Sequence, residues 1–521
     1  MQYLMTIDAG TGSVRAVIFD TLGNQISISQ AEWSHKEEPN IPNSMSFDFE
    51  TNWELTKKCI KDSINQAKID SKDIVAVSSS SMREGIVLYD KDGKELFGVA
   101  NVDARANDEV RYLKENYKGI EEKFYQISGQ TFALGAIPRI MWLKNNRPDI
   151  YEKVTSFSMI SDWILYKLSG EIVSEPTNAG TSGIFSLSER TYEKDMLSKI
   201  GLNDTILPRC EESGKTIGKV TSKASKETNL LTDTLVVTGG GDVQLGTVGL
   251  GLTSLGDSAI LGGSFWQQVV NINSNNTLPK NMSIRVNPHI ITHQSQAEGI
   301  TFFSGLVMRW FRDAFCEIDK IEANQLDIDV YSLLERKAKN VPLGSYGITP
   351  IFSDSMKYGK WYHASPSFLG LGLDESKYNR YSMFKALQEN ACIVSSINLD
   401  KIYDFANVAQ SDSLTFAAGA SKGSLWSQTL ADVTGKIIKV PVVKEATSLG
   451  GAFCAGIGAG IYKDFDETSK EFVKFEKEYI PNQDNFNQYQ ELKLRWQTIY
   501  DAQLKLVDDG LLESMWKAPG I

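Results

Sequence analysis

Three clusters in this chain of 521 residues set charged side chains beside glycines or strand ends. The first is Asp8-Ala9-Gly10-Thr11-Gly12-Ser13, followed by Arg15, between the apolar runs Tyr3 to Ile7 and Val14 to Phe19. A tight turn of this composition gathers N–H groups and hydroxyls around one point, which suits phosphate oxygens, and glycine lets the backbone come close. Thr11, Gly12, Ser13 and Arg15 are therefore candidate phosphate contacts. Asp8, at a strand end, offers a hard oxygen to Mg²⁺. An ordinary β-turn uses the same residue types. What favours a nucleotide is recurrence, at Gly262-Gly263-Ser264 and again at Gly419.

The second cluster is Arg83-Glu84, just beyond the strand-like run Ile74 to Ser79. A neighbouring cation and carboxylate suit the hydroxyl and carbonyl oxygens of a small polar ligand, although a solvated loop pair reads the same way. The third is Gly239-Gly240-Gly241-Asp242 after Leu235-Val236-Val237. A carboxylate carried by a glycine loop at a strand end is placed to act as base on a hydroxyl; a turn aspartate is the plainer alternative. Other nucleotide signatures fail. Gly214-Lys215-Thr216 ends like a Walker A loop, but Arg209 stands where its first glycine belongs, and Ser254 replaces the third glycine after Gly249-Leu250-Gly251.

These clusters need strands to carry them. Tyr3 to Ile7 and Val14 to Phe19 read as an antiparallel pair continuing into a meander, Phe49 to Ala67 has helical spacing, and Ile86 to Tyr89 reads as a further strand. Strand and helix signals then alternate, which indicates an α/β or α+β chain. Ser258 to Leu261, the Gly262-Gly263-Ser264 loop and Phe265 to Asn271 repeat the opening device about 250 residues later, as a duplication would. Leu414 to Ser421 is a third small-residue loop, followed by helical Leu425 to Val433. Glycines 246, 249, 251 and 256 mark the boundary between halves, and Glu445 to Gly451 reads as a buried small-residue helix with close packing as its role.

The net charge of −11 and a pI near 5.2 disfavour nucleic acid or an anionic membrane as partner. The apolar run Leu449 to Tyr462 is too short to span a bilayer, and the amino terminus lacks the pattern of a signal peptide. Five scattered cysteines and four histidines form no disulfide or zinc pattern, and a cytoplasmic location is expected.

With these clusters in this order, the chain resembles the FGGY carbohydrate kinase family over nearly its whole length. The longer stretches Ser81 to Tyr89, Asn101 to Arg105, Gly239 to Gly246, Met308 to Phe315 and Trp516 to Gly520 carry the resemblance further. It implies an α/β fold of duplicated ribonuclease-H-like domains, as in actin and the sugar kinases, flanking a central cleft. Residues 1–248 would supply the acceptor site and base, and 249–521 the adenine-nucleotide site. Asp242 becomes the general base, and Arg83, Glu84, Asn101 and Asp103 the acceptor contacts. Thr11, Gly12, Ser13, Arg15, Gly262, Gly263, Gly305 and Gly419 become the ATP contacts, and Asp8 the acid associated with Mg²⁺. Asn101-Val102-Asp103 stands where many relatives carry Trp-Gln-Asp, so the aromatic wall against the substrate is missing. That leaves room for an acceptor more oxidised and hydrated than glycerol or a pentulose, and the acceptor the resemblance implies is linear 4,5-dihydroxy-2,3-pentanedione. Some members answer to a phosphotransferase-system carrier protein, which makes such a regulator an expected partner. Competing readings are a kinase of another sugar or polyol, an actin- or chaperone-like ATPase, and a non-catalytic sugar sensor.

Overall fold

The computed structural model describes residues 1–133, 135–354 and 360–518; Pro519 and Gly520 of the closing motif lie outside them. Strand Tyr3–Ala9 turns through the Gly10–Gly12 loop into antiparallel Ser13–Asp20, and Gln25–Glu32 adds the third strand of the meander. Ile74–Ser81 then joins parallel to Tyr3–Ala9, Leu235–Val237 joins parallel to Ile74–Ser81, and Thr216–Lys219 closes the edge antiparallel. The crossover between meander and parallel strand is helix Phe49–Ala67, capped at its start by the Asp48 carboxylate.

The second sheet repeats the centre of that topology. Ser258–Gly262, Trp266–Asn273 and Gln294–Thr301 form an antiparallel run extended by Arg285–Pro288. Ser413–Ala417 and Ile437–Pro441 follow in parallel, and Phe475–Tyr479 closes the edge antiparallel. Its crossover is the long helix Arg380–Ala406. Among the described residues the three-strand antiparallel run and the two parallel strands beside it are common to both sheets, as a duplication would leave them. The edges differ, because Thr216–Lys219 precedes Leu235–Val237 in the chain whereas Phe475–Tyr479 follows Ile437–Pro441. Ile86–Tyr89 is a strand as expected, but it belongs to a separate three-stranded sheet with Glu95–Val99 and Ser156–Met159.

The central strands are buried on both faces, which is why they read as continuous apolar runs instead of alternating ones. Met5, Ile7 and Val14 pack with Cys59, Ile60 and Trp163 on one side, while Leu4, Val17 and Phe19 meet Leu449, Phe453 and Ala455 on the other. That second layer comes from far along the chain. Helix Ala446–Gly458 follows the second sheet's strands in sequence yet lies on the first sheet, where Ser78 Oγ donates to the Gly451 carbonyl at 2.6 Å. It crosses helix Asp242–Val248 backbone to backbone: a methyl on Gly450 would sit 2.0 Å from the Leu245 oxygen, and one on Gly249 2.0 Å from the Ala446 oxygen.

Candidate active site

Strand register gathers the first set of residues. Asp8 lies opposite both Arg15 and Ser80, and the short strand Gly240–Gly241 lies opposite Ser80 and Ser81. Three adjacent strands thus end together, and their ends carry Asp8, the Met82-Arg83-Glu84 turn and Asp242. The glycines of that last loop answer to close approach, since a Cβ on Gly239 would fall 1.7 Å from the Ser79 oxygen. Thr177 fixes the loop from behind, its Oγ1 accepting the Gly241 N–H at 2.9 Å and donating to Glu175 at 2.7 Å.

Asp242 opens helix Asp242–Val248, a position that favours a negative charge. Desolvation within the cleft nevertheless pushes its carboxyl up to about 7, with Arg83 opposing and Asp8 and Glu84 reinforcing the rise. Its side chain stays 39% accessible, and Arg83 Nε lies 3.8 Å from Oδ1. A carboxylate that titrates near neutrality and remains open to the cleft is matched to proton abstraction from a hydroxyl. Burial likewise raises Asp8, against the attraction of Arg15 and with Glu445 adding repulsion. Burial works to raise Glu84 as well, but Arg285 and Arg83 outweigh it and hold that acid below its usual range. Glu84 also takes a left-handed backbone, φ 62°, which a non-glycine residue adopts at a cost and which concentrates at functional sites.

The second set lines a cavity of about 530 Å³. Gly262 and Gly263 end one strand, Gly305 opens helix Ser304–Phe315, and Gly419 follows strand Ser413–Ala417. A Cβ on Gly305 would stand 2.2 Å from the Gly263 oxygen, so the two loops touch through bare backbone. Arg309, Arg312, Lys422 and Trp426 share this lining and offer cations and an aromatic face. Thr11, Gly12, Ser13 and Arg15 belong to the Asp8 side and do not line it.

Two expected acceptor contacts part company. Asn101 lies beside the first loop, its Nδ2 donating to Thr11 Oγ1 at 3.0 Å. Asp103 is buried, its Oδ2 taking the Arg105 Nε at 2.9 Å and the Met45 N–H at 2.5 Å. In this structure the Asp103 carboxylate is taken up by partners within the protein, as the side chains of Arg83 and Glu84 also are. The Arg two positions later was the signal for it.

Residues 3–249 match the family model described as the FGGY family of carbohydrate kinases, N-terminal domain, and residues 254–459 match its C-terminal domain. The chain belongs to the FGGY family of carbohydrate kinases. It is 54% identical over 520 residues to the autoinducer-2 kinase of Yersinia enterocolitica, covering 100% of this chain and 98% of that one. Its fold is that of the sugar kinases. Xylulose kinase from Lactobacillus acidophilus superposes with a TM-score of 0.85 at 20% identity, over 96% of this chain and 98% of that one. Glycerol kinase from Plasmodium falciparum gives 0.81 at 18% identity, over 97% and 98%.

The FGGY motifs leave several site residues without a signal. Glu445, at the start of the buried helix, ion-pairs with Arg15 at 2.6 Å, so that helix brings a carboxylate into the site besides its close packing. Glu298 and Arg285 reach Arg83 and Glu84 from the second half. Arg139 Nη1 donates to the Glu84 carbonyl. No three His, Cys, Asp or Glu side chains gather as a metal group among the described residues. Asp8 is a buried hard-oxygen donor near a strand end, and such a donor fits a Mg²⁺ that keeps water and phosphate oxygens as its other ligands.

Proposed function

We propose that the protein transfers the γ-phosphoryl group of ATP to the terminal primary hydroxyl of linear 4,5-dihydroxy-2,3-pentanedione, the open form of autoinducer-2. The observation that carries the chemistry is Asp242: a neutral-range carboxylate at the end of the first sheet, beside Arg83 and open to the cleft. Support for the acceptor comes from the full-length likeness to an autoinducer-2 kinase, and from Asn101-Val102 in place of an aromatic wall.

Residues 1–248 then hold the acceptor and base, and 249–521 the nucleotide. Asp242 takes the hydroxyl proton as the acceptor oxygen bonds to the γ-phosphorus and the bond to the ADP oxygen breaks. Proton transfer of this kind contributes about 10²–10⁴-fold; the remainder is alignment and charge neutralisation around a metaphosphate-like group. Arg83 and Glu84 orient the acceptor oxygens, and Asn101 links that wall to Thr11 of the phosphate loop. Gly262, Gly263, Gly305 and Gly419 leave the room a nucleotide needs. Mg²⁺, held by Asp8, would offset phosphate charge. A cytoplasmic location and control by a phosphotransferase-system carrier protein belong to the same proposal; no helix among the described residues is long and apolar enough to cross a membrane.

Coupled ADP release with Mg·ATP, comparing the pentanedione with glycerol, xylulose and rhamnulose, tests it. Turnover with the pentanedione alone is expected. Preference for another acceptor would move the substrate and keep the chemistry, whereas ADP release indifferent to every acceptor would make the protein an ATPase.

A further inference from the structure

The residues that grip the acceptor in the proposed function are themselves gripped from the opposite half. Arg83 Nη1 meets Glu298 Oε1 at 2.6 Å, and Arg285 Nη2 pairs with the Glu84 carboxylate. Arg83 and Glu84 are neighbours in sequence; Arg285 and Glu298 are direct partners across the antiparallel strands Arg285–Pro288 and Gln294–Thr301. Two adjacent opposite charges on one half therefore face two adjacent opposite charges on the other, crossed so that each finds its complement.

The second-half pair is held rigidly. Glu298 Oε1 also accepts Gln244 Nε2 at 2.9 Å and Asn287 Nδ2 at 2.7 Å, while Oε2 accepts Gln267 Nε2 at 2.7 Å. Arg285 Nε donates to Gln130 Oε1 at 2.6 Å. The Arg83–Glu298 pair is buried and the Arg285–Glu84 pair partly so, and taking such charges out of water costs free energy, so a stability role alone is a poor reason to build two of them side by side. A cavity of about 260 Å³ opens on Glu84, Arg285 and Glu298 together, so three of the four charged residues line ligand-sized space, with Arg83 paired to Glu298 behind them.

We propose that Arg285 and Glu298 are positioning residues for the acceptor, and that the crossed quartet ties the grip on the acceptor to the placement of one half against the other. Arg83 and Glu84 would then reach their working geometry only when the second half presents its pair. The acceptor part rests on the kinase reading; the placement part does not.

The full-length protein carrying Arg285→Ala, Arg285→Lys or Glu298→Gln is compared with wild type on its best acceptor. Arg285→Ala is expected to raise the acceptor KM about tenfold, as loss of a charge-assisted hydrogen bond does, with the ATP KM within about twofold, and Arg285→Lys to recover most of the loss. Adding Arg285→Ala to Glu84→Gln should cost little beyond the worse single change, because the two residues act as one unit. Equal losses for ATP and acceptor, an unchanged acceptor KM, or additive effects would overturn the positioning role. Small-angle scattering without ligand tests the rest: Arg285→Ala with Glu298→Gln should enlarge the radius of gyration, and a curve superimposable on wild type would overturn the coupling. A wild type inactive on every acceptor refutes the kinase reading and the positioning role with it, and scattering still decides whether the quartet sets the halves.

Discussion

The proposed acceptor side and the proposed nucleotide side of this molecule are built on different principles. Around Arg83, Glu84 and Asp242 the chain places charged side chains and fixes each one with others, so that Glu298 alone accepts from four donors. Around Gly262, Gly305 and Gly419 it strips the loops to bare backbone, and the charged and aromatic side chains of that cavity, Arg309, Arg312, Lys422 and Trp426, stand further round its lining. The difference follows from what is recognised. A small hydrated acceptor has little surface, and its identity lies in a few oxygens that only pre-placed charges can read. A nucleotide has a long phosphate chain and a flat base, which bare loops can approach closely.

Substitutions on the two sides should therefore fail differently. The largest effect belongs to Asp242→Asn, which should cut kcat by about 10²–10⁴-fold while ATP still binds, read by single-turnover kinetics beside nucleotide titration. Undiminished turnover would remove Asp242 from the chemistry. Next comes Arg83→Gln, expected to raise the acceptor KM by about 10–100-fold and leave the ATP KM nearly unchanged; equal losses for both substrates would dissolve the distinction between the sides. The same variant sharpens the pH behaviour. Because the base must be deprotonated, kcat/KM should climb with rising pH through about 7 in wild type. Loss of the Arg83 charge raises the base further and moves that climb to higher pH.

On the nucleotide side a methyl on Gly419 would meet nothing within 4 Å, so a larger side chain there enters the cavity without disturbing the protein. Gly419→Leu should weaken ATP about tenfold with the acceptor KM intact, and an unaffected ATP KM would place the nucleotide elsewhere. The smallest effect lies one residue earlier. Ala418 has φ 72° and ψ −164°, a region in which only glycine is at ease, so Ala418→Gly should stabilise by about 1 kcal/mol, seen as a higher thermal unfolding midpoint. A lower midpoint would mean that the alanine methyl contributes packing that outweighs the strain.

The sides also differed in how far the sequence disclosed them. The loop after Tyr3–Ala9, the turn at Arg83 and the glycine run before Asp242 were legible because strand, loop and charge are consecutive, and Gly262-Gly263 and Gly419 were legible by repetition. Glu298 and Arg285 were not, because their partners lie more than 200 residues away and nothing local marks them. Glu445 was hidden by the helix it introduces, whose small residues announce packing and say nothing of the carboxylate in front. Asp103 is the opposite case: its motif is local, and so is its partner, Arg105 two positions on.

The return of helix Ala446–Gly458 to the first sheet makes this a chain that cannot be cut into working parts at one place. An expression fragment ending near residue 250 would carry the acceptor charges and the base, yet its first sheet would have a bare apolar face where Leu449, Phe453 and Ala455 belong. A separable acceptor half would have to be spliced, with the segment beginning at Glu445 joined behind residue 249 by a linker. Insertions and fusion partners are better directed to loops outside that return path.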